Sequence, residues 1–370
     1  MFKPKKQILT AGPLISDKEV KYVLDAVKNG WNEHWADYIH KFEQKFAEYI
    51  GVKYAIATCG GTGALHLALA ALGIGKGDEV ILPEITYFSC ADVVVYLGAK
   101  PVFVDVLKDT WCIDPGKLEK AITKRTKAIM PVYAYGNLIE VKEIKNIAKK
   151  YRLSIVEDAC PAVGSLYHGK KAGSFGDFAA FSFQGAKIMV TGYGGMLVTN
   201  NKKLYERALF LNTHGEDPNK KFWQLEVGYS HEMSNLQAAF GLAQLERIEE
   251  FVTKKRQIFS WYYERLKDIE GISLNYERPN TRSNFWMTSI VLNKNFGVTR
   301  DELIKKLKEY KIDSRPFFWP ISMFPMYYKE QNTPVAHHLA FNGINLPSGL
   351  RLKEEEVDYI CKVIRKILKV

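Results

Sequence analysis

Long apolar runs are missing from this chain. The longest stretches, such as residues 67–72, fall well short of the roughly 20 residues needed to span a bilayer, so no membrane segment is expected. The opening MFKPKKQILTAGP is basic, but no apolar run or small-residue cleavage site follows it. No signal peptide is therefore expected, and a cytoplasmic location follows. Cysteine is scarce: Cys59, Cys90, Cys112, Cys160 and Cys361 are odd in number, widely spaced and form no CxxC pair. This argues against a disulfide framework and against a metal site, and leaves buried, reduced thiols as the expectation. Internal repeats and low-complexity linkers are also absent. The net charge of +11 raises the question of nucleic acid, but the basic residues are spread along the chain and mixed with acids, as in KLEKAITKRTK. Nucleic-acid binding is not expected; a modest positive field would help to gather phosphorylated substrates.

What is present is enough apolar material for a substantial core, 47% hydrophobic and 13% aromatic residues in a chain of 370, a length that suits two domains. Ser16 and Glu19 read as a capping box that opens a helix ending near Gly30. Short β-branched runs then alternate with helical segments. Strands are expected at 54–58, 79–82, 101–106, 128–132 and 153–157, with helices at 62–72, 90–97, 115–122 and 140–150 between them. That rhythm predicts an α/β fold with a mostly parallel sheet covered by helices on both faces. Strands at 178–183 and 195–200 follow, joined by a glycine-rich turn. A proline-free helix or helix pair over 233–266, a strand at 288–292 and helices at 301–308 and 354–368 predict a smaller C-terminal α+β domain. The expected division is residues 1–250 and 251–370.

Three segments carry chemistry suited to a phosphate-bearing aromatic cofactor. In CGGTGALHLAL, a strand end leads through Gly61 and Thr62 into a helix, whose free N–H groups and dipole attract an anion while the glycines allow close approach. Taken alone this is also ordinary α/β architecture. In SIVEDACPAVGS a strand ends in Glu157 and Asp158, where parallel sheets place ligands. Beside a pyridine nitrogen such an aspartate keeps the ring protonated and electron-accepting; the other reading is a helix cap. In FSFQGAKIMVTGYGGMLVTN, Lys187 stands alone among apolar neighbours, with Ser182 upstream and Thr191, Gly192, Gly194 and Gly195 downstream. A partly desolvated lysine has a depressed pKa, usable for Schiff-base formation and proton transfer. CGGTGA lacks the G-x-G-x-x-G spacing of a dinucleotide site.

With these segments in order, the chain resembles the DegT/DnrJ/StrS family of sugar aminotransferases, a branch of the fold-type I pyridoxal-phosphate (PLP) enzymes. The likeness runs from FEQKFAEYIGVKYAIATCGGTGALHLALAALGIGKGDEVILPEITYFS through GAKPVFVDV, RTKAIMPVYAYG, EDACPAVGS, GSFGDFAAFSF, GAKIMVTGYGG and MSNLQAAFGLAQLERI to PFFWP and NLPSG. The resemblance implies a PLP-transferase with Lys187 as the Schiff-base lysine and Asp158 as the partner of the pyridine nitrogen. It implies Tyr87 as the aromatic that stacks on the cofactor ring, and Gly61, Thr62 and Ser182 as phosphate ligands. It also implies a homodimer with active sites at the subunit interface, and transfer of an amino group from L-glutamate to a nucleotide-linked keto sugar. Arg315 is a candidate for holding the acceptor's phosphate. Four positions depart from the family pattern. Tyr193 replaces the acid of TGEGG, and Pro161 replaces a glutamine. Ser230 stands where an asparagine reaches the neighbouring subunit's cofactor phosphate, and Glu232 where an arginine is usual, which reverses the local field. A small phosphorylated ketone such as dihydroxyacetone phosphate therefore stays open as the acceptor, as does a PLP-binding regulatory protein without transaminase activity. Retention of both Lys187 and Asp158 speaks for an enzyme.

Overall fold

The computed structural model describes residues 4–370. Its largest element is a seven-stranded sheet. In chain order the strands are β1 (Tyr54–Thr58), β2 (Glu79–Pro83), β3 (Lys100–Val104), β4 (Thr126–Ile129), β5 (Ser154–Asp158), β8 (Phe178–Ser182) and β9 (Gly195–Thr199); β6 (Leu166–Tyr167) and β7 (Lys170–Lys171) lie outside it. The spatial order is β1-β9-β8-β5-β4-β2-β3, and only β9 runs against the others. The mostly parallel sheet expected from the sequence is therefore present.

Side-chain alternation puts each strand's apolar residues onto both faces. Ala55 and Ala57 of β1, Ile81 of β2 and Phe181 of β8 enter one core, while Ile56, Val80, Leu82, Phe178 and Ala180 enter the other. Helix α1 (Asp17–Asn29) starts at the capping box, where Ser16 N donates to Glu19 Oε2 at 2.7 Å, and stops at Gly30. Helix α2 (Asp37–Ile50), not among the expected helices, buries Phe42, Phe46, Ala47 and Ile50 and ends at Gly51 with φ 82°. Helix α3 (Gly61–Ala71) is apolar on nearly all sides and lies buried between β1 and β2 in sequence. The crossovers then run through α4 (Ser89–Tyr96), α5 (Pro115–Ala121) and α6 (Val141–Tyr151), with α7 (Lys202–Asn212) after β9.

The helical stretch expected over 233–266 is a pair, α8 (Asn235–Leu245) and α9 (Ile248–Leu266), interrupted at Glu246 and Arg247. Beyond α9 come β10 (Ile272–Leu274), β11 (Thr281–Arg282), β12 (Ser289–Leu292), α10 (Arg300–Glu309), β13 (Arg315–Pro316), α11 (Pro334–Asn342), β14 (Gly343–Asn345) and α12 (Glu354–Leu368). Strands β10, β12, β14 and β13 form an antiparallel sheet, and β11 pairs with β6. A third core joins Ile258, Tyr262 and Leu266 of α9 to Leu303, Ile344 and Ile360, and it also takes in Ile8 from the start of the chain. Ile8 reaches it by pairing with Ile312. No helix among the described residues is long and apolar enough to cross a membrane.

Candidate active site

The C-terminal ends of the parallel strands meet along one edge of the sheet. Thr58 and Ser182 both stand opposite Gly195, the first residue of the reversed strand β9, and Asp158 is paired with Ala180. A cavity of about 720 Å³ opens at this edge. Its lining includes Gly61, Thr62, Tyr87, Asp158, Ser182, Lys187, Tyr193 and Arg315. Eight of the residues singled out from the sequence thus converge, although they span positions 61 to 315.

Helix α3 points its N-terminus at the cavity. The first-turn N–H groups of a helix have no intrahelical acceptor, so they face the space with the positive end of the dipole behind them. The backbone here is tightly packed: a Cβ on Gly61 would lie 2.9 Å from both Cys160 Sγ and Ser182 Cβ. Gly61→Ala is therefore expected to displace Ser182 and to destabilise the protein by about 1–3 kcal/mol. A urea denaturation series on both proteins checks this, and an unchanged midpoint would contradict it.

Lys187 sits in the loop between β8 and β9. Phe183 N donates to Gly194 O at 2.8 Å and Thr191 N to Phe183 O at 2.8 Å, which closes the loop's two ends over each other. Lys187 N donates to Gln184 O at 2.8 Å. The ammonium lies 4.0 Å from the centroid of the Trp286 ring. Burial pushes Lys187 below the ordinary lysine value, with nearby Cys160 and Asp158 opposing. A lysine so placed is more often an unprotonated nucleophile at neutral pH than one in water. Asp158, buried at the end of β5, accepts from Cys160 N (3.0 Å, Oδ1) and from Cys90 Sγ (3.0 Å, Oδ2). The same acceptor raises both thiols' pKa values, as does burial, the larger cause. Cys90, Cys112, Cys160 and Cys361 are buried as expected, whereas Cys59 is exposed at the start of the glycine turn.

Tyr87 is half-exposed at the cavity's rim, its ring 4.2 Å from that of Phe88. Tyr193 projects outward while its carbonyl accepts from Thr191 Oγ1 at 2.7 Å. Arg315 is exposed on β13. Ser230 and Glu232 are exposed and line no part of this chain's cavity. Their segment runs beside the end of β1, where Thr58 bridges Glu232 and Cys59 N donates to His231 O at 2.6 Å. Sequence reasoning missed Trp286, Tyr135, Phe318 and Asn345, all in the lining. No local pattern marks them. Tyr135 holds φ 52° while its ring stacks within 5.4 Å of Phe318, a conformation that only its surroundings enforce.

The 228–233 segment is braced against α3 by a histidine pair, His66 Nδ1 to His231 Nε2 at 3.0 Å. Burial, with His231 close by, pushes His66 down to about 4. An unfolded histidine titrates near ~6.5, so between these values the unfolded chain binds more protons. The stability this site contributes is complete above about 6.5 and is lost as pH falls through 4. The urea midpoint of the wild type is expected to fall more between pH 7 and 5 than that of His66→Gln, which stays neutral; equal falls would rule the effect out.

A lysine and an aspartate facing a helix N-terminus across one cavity is the architecture of a PLP-dependent aminotransferase. The chain belongs to the DegT/DnrJ/EryC1/StrS aminotransferase family, whose model matches residues 13–365. It is 41% identical to the GDP-perosamine synthase of Caulobacter vibrioides over 365 residues, and 41% identical to that of Escherichia coli O157:H7 over 362. In each case 98% of both chains is covered. Among solved structures it resembles Spr1654 of Streptococcus pneumoniae in its PMP form, with a TM-score of 0.92, 27% identity and 98% of both chains covered. The fold-type I architecture and the aminotransferase class expected from the sequence are thereby established.

Proposed function

We propose that this protein transfers the amino group of L-glutamate to the keto group of a nucleotide-linked sugar used in surface polysaccharide biosynthesis, with pyridoxal 5'-phosphate as cofactor. The observation that carries the reading is the convergence of Lys187, Asp158 and the N-terminus of α3 on one cavity of about 720 Å³. The residues suit the cofactor: Gly61, Thr62 and Ser182 border the cavity at the N-terminus of α3, where free N–H groups favour a phosphate, Tyr87 offers an aromatic face, and Asp158 offers a carboxylate. When bound, PLP supplies an electron-accepting ring that stabilises charge on the donor carbon. The protein's share is positional. Asp158 would hold the ring nitrogen's side of the cofactor with its carboxylate, whose orientation Cys90 and the Cys160 N–H fix. Lys187 would hold the cofactor through its amine, and as a free amine its Nζ would serve as the base and then the acid that moves the donor proton. Arg315 and Tyr193, at the rim, are proposed acceptor contacts, with the guanidinium suited to phosphate.

Similarity to two GDP-perosamine synthases favours a GDP-linked keto sugar over a small phosphorylated ketone, and a cavity of this size leaves room beyond a cofactor. The proposed assembly is a cytoplasmic homodimer with residues 1–250 and 251–370 as its domains. Ser230 and Glu232, outside their own cavity, would then serve the partner's. In support, exposed Phe222, Trp223, Leu225 and Val227 precede them, and Val20, Leu24 and Val27 form an exposed stripe on α1. The test is a panel of GDP-, UDP- and dTDP-linked keto sugars and dihydroxyacetone phosphate, each with glutamate. Turnover of a nucleotide sugar is expected; turnover of the triose phosphate alone would contradict the reading.

A further inference from the structure

We propose that Trp286 is the positioning residue for the cofactor lysine: its indole face receives the Lys187 ammonium while its indole N–H clamps the carbonyl of the preceding residue, Ala186. The inference rests on the assignment of Lys187 made above. Two independent contacts point to it. The Lys187 ammonium is 4.0 Å from the ring centroid, and Trp286 Nε1 donates to Ala186 O at 2.8 Å. One side chain therefore fixes both the backbone that carries the lysine and the end of its long, flexible stem.

The tryptophan is itself held from several sides. Its backbone N–H donates to Asn284 Oδ1 at 2.9 Å, and Asn284 Nδ2 in turn donates to Pro161 O at 2.9 Å and Val163 O at 3.0 Å, in the loop that follows Asp158. Its carbonyl accepts from Lys255 Nζ of α9 at 2.8 Å, and the same ammonium donates to Ser348 O at 2.5 Å. The residue before it, Phe285, adopts φ 47° and stacks on Phe259 at 3.7 Å. A bulky residue in the left-handed region persists only where neighbours enforce it. The 284–286 turn thus ties the Asp158 loop and α9 to the lysine loop, and it aims an aromatic face at Nζ.

A desolvated ammonium loses hydration that a ring quadrupole partly replaces. Lysine has four rotatable bonds and no planar head group to fix its direction, so a face beneath Nζ restricts where it rests after it leaves the cofactor. If Trp286 merely filled the core, only stability would respond to its replacement, and the titration of Lys187 would be indifferent to whether position 286 is aromatic.

The test compares Trp286→Phe, which keeps a ring and loses the N–H, with Trp286→Leu, which loses both. In full-length protein stripped of cofactor, the pH dependence of Lys187 acylation is followed by peptide mass spectrometry, and the capture of added PLP by absorbance. The apparent pKa of Lys187 in W286L is expected to lie about 0.5–1 unit below that in W286F, because only the latter retains a face that favours the charged form. Cofactor capture is expected to slow about 10-fold in W286L and measurably in W286F. Equal pKa values in the two variants, or capture by W286F at the wild-type rate, overturn the inference. The second criterion stands even if W286L does not fold. A wild-type protein that captures no cofactor would instead contradict the assignment of Lys187, so the two failures are distinguishable.

Discussion

Alanine at position 187 is expected to lower the rate of amino transfer by at least ~10³-fold, because it removes both the covalent attachment and the proton carrier. The substitution leaves little else to explain the loss. Lys187 borders an open cavity rather than filling a core position, so truncation creates no closed void. The loop around it is closed by backbone hydrogen bonds from Phe183, Thr191 and Lys187 itself, none of which needs the side chain. Lys187→Arg separates charge from chemistry. A guanidinium keeps the positive charge and the reach, but it stays protonated and cannot form the bond to the cofactor. Both variants should be equally inactive in a glutamate-dependent assay, with cooperative thermal unfolding retained. Substantial activity in the arginine variant would mean that the lysine acts through its charge alone.

Asp158→Asn is the second large effect, a loss on the order of 10²–10⁴-fold in kcat. The amide is nearly isosteric with the carboxylate, and its oxygen can still accept from the Cys160 N–H that now donates at 3.0 Å. The backbone need not rearrange; only the Cys90 thiol, which now donates to the other oxygen, must turn and accept from the new NH2 group. What disappears is the negative charge that, in the proposed role, would keep a ring nitrogen protonated. The expected signature is a fall in kcat with the cofactor still bound and the KM for glutamate changed little. A rise in KM alone, with kcat intact, would show that Asp158 contributes to binding rather than to the electronic demand of the reaction.

The sequence made the sheet legible because its strands are short apolar runs separated by helical periods, and a strand buried on both faces has few other solutions. The limits were set by backbone chemistry. The strand expected at 128–132 is continuous only over Thr126–Ile129; Pro131 has no N–H to donate to the ladder, and Val132 beyond it pairs with Asp158 as an isolated bridge. The one expected at 101–106 ends at Val104 because Val106 turns away to bridge Ile113. Lys187, Asp158 and Gly61 stand out in the sequence because Asp158 ends a strand, Gly61 follows one and Lys187 is an isolated charge in a glycine-rich loop, and the fold brings all three to one cavity. Trp286 does not stand out. It meets Lys187 only through a turn that Asn284 and Lys255 hold from distant parts of the chain, and WMTSIVL alone reads as the entry to a strand. Cys90 and Cys160 are the buried, reduced thiols expected, but nothing local in the sequence says that both residues contact Asp158.

The proposed attachment of the cofactor to Lys187 inside this cavity can be tested directly. Borohydride reduction of the protein loaded with pyridoxal phosphate makes that bond permanent, and peptide mapping then locates it. The predicted result is a single added cofactor mass on the peptide containing Gly185, Ala186 and Lys187. No added mass, or the label on any other of the chain's lysines, would contradict it.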